Sequence, residues 1–186
     1  KVNAQGRGHI GPDDFDTVVF FGARLRVAEF FGPHFDWAHL YGGLPSRAVL
    51  TTSAREFVWE TRAYRMAHYL ADGGCRVIYV PGPFYTADIL DLTEKNRFLA
   101  HYPGAVTGTA LMRDQLWRVL EDVSADLGIT MIRQPEDTVT QAVLTKTEFA
   151  CADAREEGDI GHKSPAFAAR WMQEVWPHVQ QKAKAA

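Results

Sequence analysis

Asp72-Gly73-Gly74-Cys75-Arg76-Val77-Ile78-Tyr79-Val80-Pro81-Gly82-Pro83 sets a helix stop, a strand and a rigid loop side by side. The paired glycines end a helical stretch. Arg76–Val80 is apolar on both alternate faces, the pattern of a strand buried on both sides, and such strands belong to parallel sheets covered by helices. Pro81-Gly82-Pro83 then closes the strand and opens a loop.

The same reading extends along the chain. Thr17–Phe21 (TVVFF) is a compact apolar run before Gly22, and Ile129–Arg133 (ITMIR) ends before Pro135. Arg47–Thr52 (RAVLTT) and, more weakly, Asp36–Leu40 before Gly42-Gly43 also read as strands. Helices are expected between them. One spans Arg55–Ala71, and a weaker one lies in Asp88–Tyr102. Met112–Leu127 carries Met112, Leu116, Val119, Leu120, Val123 and Leu127 on one stripe, stopped by Gly128. Ser164–Gln181 opens with Ser164-Pro165, an N-cap followed by proline at the first helical position. Alternating strands and helices predict a three-layer α/β/α, flavodoxin-like sandwich around a mostly parallel sheet of about five strands. Residues 1–16 read as an irregular lead-in, 17–181 as a single domain and 182–186 as a tail. In such a fold ligands bind at the carboxyl ends of the strands.

Composition narrows the function classes. The 186 residues carry 20 Lys+Arg against 23 Asp+Glu, a net charge of −3, which argues against a nucleic-acid binder. No apolar run approaches the roughly 18 residues of a membrane span. Two cysteines, Cys75 and Cys151, are too few for a disulfide framework or a thiolate zinc site, and they lean towards a reducing, cytoplasmic setting. The histidines form no H-x-x-x-H or H-x-x-E-H pattern, so neither a metal nor another cofactor is expected. The first residue is Lys1, as expected where a leader, a tag or an upstream domain has been removed.

Chemistry concentrates near the C-terminus, in Gly158-Asp159-Ile160-Gly161-His162-Lys163-Ser164-Pro165-Ala166-Phe167. A turn of this length brings the Asp159 carboxylate to one imidazole nitrogen of His162. That fixes the tautomer and leaves the other nitrogen as a general base. The plainer reading is a solvated pair ahead of the final helix.

This block resembles the last motif of the SGNH (GDSL-type) hydrolase superfamily, a D-x-x-H ahead of the final helix with an aromatic residue five positions after the His, here Phe167. The order of strands and helices over about residues 17–180 is similar too. The resemblance implies hydrolysis or transfer of a small acyl ester, such as a carbohydrate O-acetyl group, with His162 as base and Asp159 orienting it. The first motif departs from the family. Such hydrolases carry G-D-S after the first strand, whereas this chain reads Phe21-Gly22-Ala23-Arg24, with Arg24 in the place of the nucleophilic Ser. A guanidinium cannot attack an ester. The G-x-N-D motif is also missing, and Thr51-Thr52-Ser53-Ala54-Arg55-Glu56 stands there instead.

Three readings follow. Another hydroxyl attacks, with Ser53 the first candidate and Thr52 and Ser46 behind it, although Ser53 also suits the N-cap of the Arg55–Ala71 helix. Alternatively the fold binds an anionic small molecule or polysaccharide without catalysis. Or the Asp–His pair activates water or a substrate hydroxyl directly. Gly22 and Gly42 are candidates to lend backbone N–H groups to an oxyanion. Arg24, Arg55 and Arg133 come from different expected strand ends and would make an anion site if they converge. The plainer reading is that each pairs with a nearby acid.

Overall fold

The computed structural model describes residues 8–91 and 98–181. In chain order its elements are β1 (Thr17–Arg26), α1 (Val27–Tyr41), α2 (Arg47–Glu60), α3 (Arg62–Asp72), β2 (Arg76–Gly82), β3 (Tyr85–Thr86), α4 (Phe98–His101), α5 (Ala110–Asp126), β4 (Ile129–Met131), β5 (Val139–Thr140), β6 (Leu144–Thr145), α6 (Ala154–Glu157) and α7 (Pro165–Gln180). Short 3-10 turns join several of them. β1, β2 and β4 form an all-parallel sheet with β2 in the middle.

β2 explains the layering. Val77 and Tyr79 join the large core made with α1, α2, α3 and α5. Their neighbours Ile78 and Val80 point the other way and pack with Phe167, Trp171 and Val175 of α7. Successive side chains on a strand face opposite sides, so helices cover this strand on both faces. The large core is dense in rings. Phe31 lies 5.2 Å from Trp117 and 5.6 Å from Phe84 between ring centres, and Tyr64 lies 5.1 Å from Tyr79. Tyr64 donates its buried hydroxyl to Ser124 at 2.7 Å.

The helix boundaries follow their caps. Ser164 accepts from the N–H of Phe167 at 3.4 Å, so α7 starts where Ser164-Pro165 places it. Thr109 caps α5 through the N–H of Met112 at 3.2 Å, and that helix buries Leu116, Val119, Leu120 and Val123 as the stripe predicts. Gly42 ends α1 at φ 79°, in the left-handed region that suits glycine. The lead-in is tied down at Cys75, whose thiol donates to the carbonyls of Pro12 and Phe15.

Several expectations need correction. The main sheet has three strands, not about five. Asp36–Leu40 lies inside α1, where Phe31, Phe35 and Ala38 are buried at helical spacing. Arg47–Thr52 lies in α2, not in a strand. Ser46 caps that helix, and Leu50, Ala54 and Val58 form its buried stripe. The single helix expected over Arg55–Ala71 breaks at Thr61, which is extended (φ −87°, ψ 118°). Arg65 stabilises the break by donating to the terminal carbonyls of Trp59 and Glu60. Of the weak helix in Asp88–Tyr102, the structure shows a 3-10 turn at Ala87–Leu90 and α4, while residues 92–97 lie outside the described residues, as do the tail 182–186 and residues 1–7 of the lead-in.

A second small sheet was not expected at all. β6 pairs with β3 in parallel and with β5 antiparallel, carrying the chain past the carboxyl end of β2. It is organised by Gln134, which is fully buried. The Gln134 amide accepts from the N–H of Phe84 at 3.0 Å and donates to the hydroxyls of Thr138 (3.0 Å) and Thr145 (3.1 Å). Thr145 donates onward to the carbonyl of Phe84 at 2.9 Å. Every buried polar group in this ring has a partner, which is the condition for such a network to stabilise.

Candidate functional site

The segment before α7 is fastened to the small sheet. Ile160 packs on the main core, and its carbonyl accepts from the N–H of Thr86 at 3.0 Å. Lys163 bridges to Ala150, and Ser164 donates its N–H to Phe149 at 2.8 Å. Because β3 follows β2 after Pro83-Phe84, these bonds hold the turn beyond the carboxyl end of β2.

In that turn Asp159 and His162 meet. Asp159 Oδ1 accepts the N–H groups of Gly161 (2.9 Å) and His162 (3.1 Å), and Oδ2 lies 2.6 Å from His162 Nδ1. Burial pushes the Asp159 carboxyl up, but the bonds from the His162 backbone and ring and from Gly161 outweigh it and hold it below the usual carboxylate range. An ionised carboxylate only accepts, so Nδ1 carries the proton towards it. A neutral ring then has its lone pair on Nε2. The imidazole is 84% exposed, so bulk water and large substrates reach Nε2 freely. Such a ring can take a proton from a hydroxyl or water brought beside it. The plainer role, closing the turn, is also met by the two backbone bonds.

Among the described residues, none of the remaining sequence candidates bonds to His162, whose side-chain partner is Asp159. Ser53 does not end a strand. It lies in the middle of α2, and its hydroxyl is 3.4 Å from His34 Nε2 in a partly buried contact between α1 and α2. Burial lowers the pKa of His34. Thr52 bonds back to the carbonyl of Ala48, and Ser46 is the α2 cap. Gly42 spends its N–H on the carbonyl of Ala38, so it has none to lend to an oxyanion. Gly22 is exposed at φ 63°, where β1 slips register against β2.

The three arginines do not converge. Arg55 pairs with Asp126 at 3.1 Å. Arg133 holds Glu121 at 2.6 Å and Asp114 at 2.7 Å. Arg24 makes no ion pair among the described residues and lines a shallow groove with Phe20, Glu60, Thr61, Arg62 and Met66. Arg62 was missed in the sequence because the helix break that exposes it carries neither Gly nor Pro.

Lys163 was also missed, although it stands next to His162. Its ammonium donates to the carbonyls of Ile160 (3.2 Å) and Gly161 (2.7 Å). Burial pulls its pKa down to about 8, against the smaller opposing pull of Asp159 and Cys151. Among the described residues no three His, Cys, Asp or Glu side chains gather as a metal site would need, and no helix is long and apolar enough to cross a membrane. No family model, curated protein or solved structure matches this chain.

Proposed function

We propose that this chain is an SGNH-like domain that hydrolyses or transfers a small acyl ester, such as a carbohydrate O-acetyl group. The reading is carried by one observation, the closed Asp159–His162 pair with Nε2 left open. The resemblance of the C-terminal motif and helices on both faces of a parallel sheet support it. The first strand keeps Phe21-Gly22 but has Arg24 in the place of the family's Ser, and Ser53 faces His34 within the α1–α2 contact instead. The attacking oxygen is therefore water or a hydroxyl of the acceptor. His162 Nε2 removes its proton as the oxygen adds to the ester carbonyl, and returns that proton to the departing alkoxide. Asp159 is a positioning residue, keeping Nδ1 protonated and stabilising the imidazolium formed midway.

An aryl acetate and an O-acetylated polysaccharide are the probes. His162→Gln is expected to lower acetate release by about 10²-fold or more. Equal release by parent and variant would overturn the reading.

A second reading is favoured by Arg24 and Arg62, which have no ion-pair partner among the described residues and share one groove. Two arginines against the one carboxylate, Glu60, that lines the same groove suit a phosphate, sulfate or carboxylate. In that case sulfate raises the melting temperature of the parent and not of Arg24→Ala, while acetate release is absent from both.

A further inference from the structure

The two edges of the main sheet are very different. β4 is three residues long, and Arg133 follows close behind it. A short edge with a charge beside it resists pairing with another chain. β1 is ten residues long and pairs only with β2. Among the described residues no backbone hydrogen bond reaches its outer side. Its straight part, Thr17–Phe21, contains no charge and no proline. Val19 and Phe21 are 36% and 42% exposed there. The groove bounded by Phe20 and Met66 runs beside the strand, so apolar surface continues past the edge.

The two ends of this strand differ in charge. Asp16 precedes it, with Asp13 nearby, whereas at the far end Arg24 and Arg62 share a groove with the single carboxylate Glu60. Both Asp16 and Arg24 are exposed. If two copies pair antiparallel about a two-fold axis, Arg24 of each chain meets Asp16 of the other, and Val19 and Phe21 are covered together. A parallel arrangement puts like charges opposite each other, which is destabilising. A two-fold interface is self-complementary by construction, and one surface with opposite charges at its two ends satisfies that condition. The bulge at Gly22 breaks the register beyond Phe20, so in this register, centred on Phe20, backbone pairing is confined to Val19–Phe21 and Arg24 acts through its side chain.

We propose that the outer edge of β1 is a homodimer interface, in which a second copy of this chain adds its own β1 antiparallel and continues the sheet across the two-fold axis. The inference is independent of the acyl-ester reading.

The test is the mass of the full chain by sedimentation over a dilution series, for the parent and four variants. The parent is expected to pass from monomer to dimer as concentration rises. Val19→Lys places a charge on the edge and is expected to weaken association by about tenfold or more. Asp16→Arg and Arg24→Asp each set like charges against each other twice per dimer and are expected to weaken it similarly. The double variant Asp16→Arg/Arg24→Asp restores opposite charges and is expected to recover most of the loss. A parent that stays monomeric at every concentration overturns the proposal. So does a dimer indifferent to Val19→Lys, or one that the double swap fails to rescue. Circular dichroism checks folding, and if Val19→Lys does not fold, the exposed charge swaps decide alone.

Discussion

Asp159 Oδ2 stands 2.6 Å from His162 Nδ1, while the other oxygen of the same carboxylate takes the two backbone N–H groups of the turn. The turn and the ring are thus set by one side chain. Asp159→Asn separates the two roles. The amide oxygen can still accept the backbone bonds, but its NH₂ group turned towards the ring favours the tautomer with the proton on Nε2. Nitrogen NMR of the ring is expected to show Nδ1–H in the parent and Nε2–H in the variant, with little change in melting temperature. An unchanged tautomer would show that the carboxylate does not govern the ring.

Ser53 belongs to the α1–α2 contact. Its hydroxyl meets His34 at 3.4 Å, too long for a strong bond, and both residues sit between helices. Ser53→Ala is expected to keep full acyl-ester activity and to cost no more than about 1 kcal/mol of stability. A fluorophosphonate probe is expected not to label Ser53. Labelling that disappears in Ser53→Ala would reinstate it as a nucleophile.

Lys163 gives a stability signature on the alkaline side. Its pKa falls from the ordinary 10.5 to about 8 in the folded chain, because burial penalises the charged ammonium. Between those values the unfolded chain holds more protons than the folded one, so this group makes stability rise with pH. Below about 8 the ammonium is charged in both states, and the penalty is fully present. Lys163→Met removes the titration. The stability of the variant relative to the parent is therefore expected to fall as pH climbs from 8 to 10.5, read from urea midpoints. A difference independent of pH would show that the lysine is not depressed.

Gln134 is the polar centre of the small sheet. Gln134→Leu keeps much of the volume but leaves the buried N–H of Phe84 without its acceptor. The expected cost is about 1–3 kcal/mol. Because β3 and Ile160 share the bond at Thr86, hydrogen exchange at Thr86 is expected to quicken in the variant. A neutral substitution would mean that the network is dispensable.

The sequence was most legible where one segment faces one environment. β2 is sandwiched between helices, so its continuous apolar run identified both its type and its layer. α7 announced its cap at Ser164 and α5 its buried stripe, while the α5 cap at Thr109 went unread. The failures share a cause. In Arg47–Thr52 the β-branched residues dominate a short window, while the helical stripe of Leu50, Ala54 and Val58 emerges only over eight further residues behind the Ser46 cap. At the break Arg65 reaches back five and six residues to two carbonyls, a local side-chain bond that no Gly or Pro announces in the sequence. The Asp159–His162 contact was legible because it is local, three residues apart in one turn. The loss of the Arg24, Arg55 and Arg133 cluster was not, because each partner (Asp126 for Arg55, Glu121 and Asp114 for Arg133) is distant in sequence or fixed by packing.

The decisive measurement is a double-mutant cycle on kcat/KM for an aryl acetate, using Asp159→Asn, His162→Gln and the two together. Residues that work as one unit lose little more when both are changed than when His162 alone is changed. His162→Gln is expected to cost about 10²-fold or more, Asp159→Asn a comparable factor because its ring carries the proton on Nε2, and the pair no more than His162→Gln. If all three variants turn over the ester at the parent rate, the exposed imidazole only closes a turn, and acyl-ester chemistry at this site is wrong.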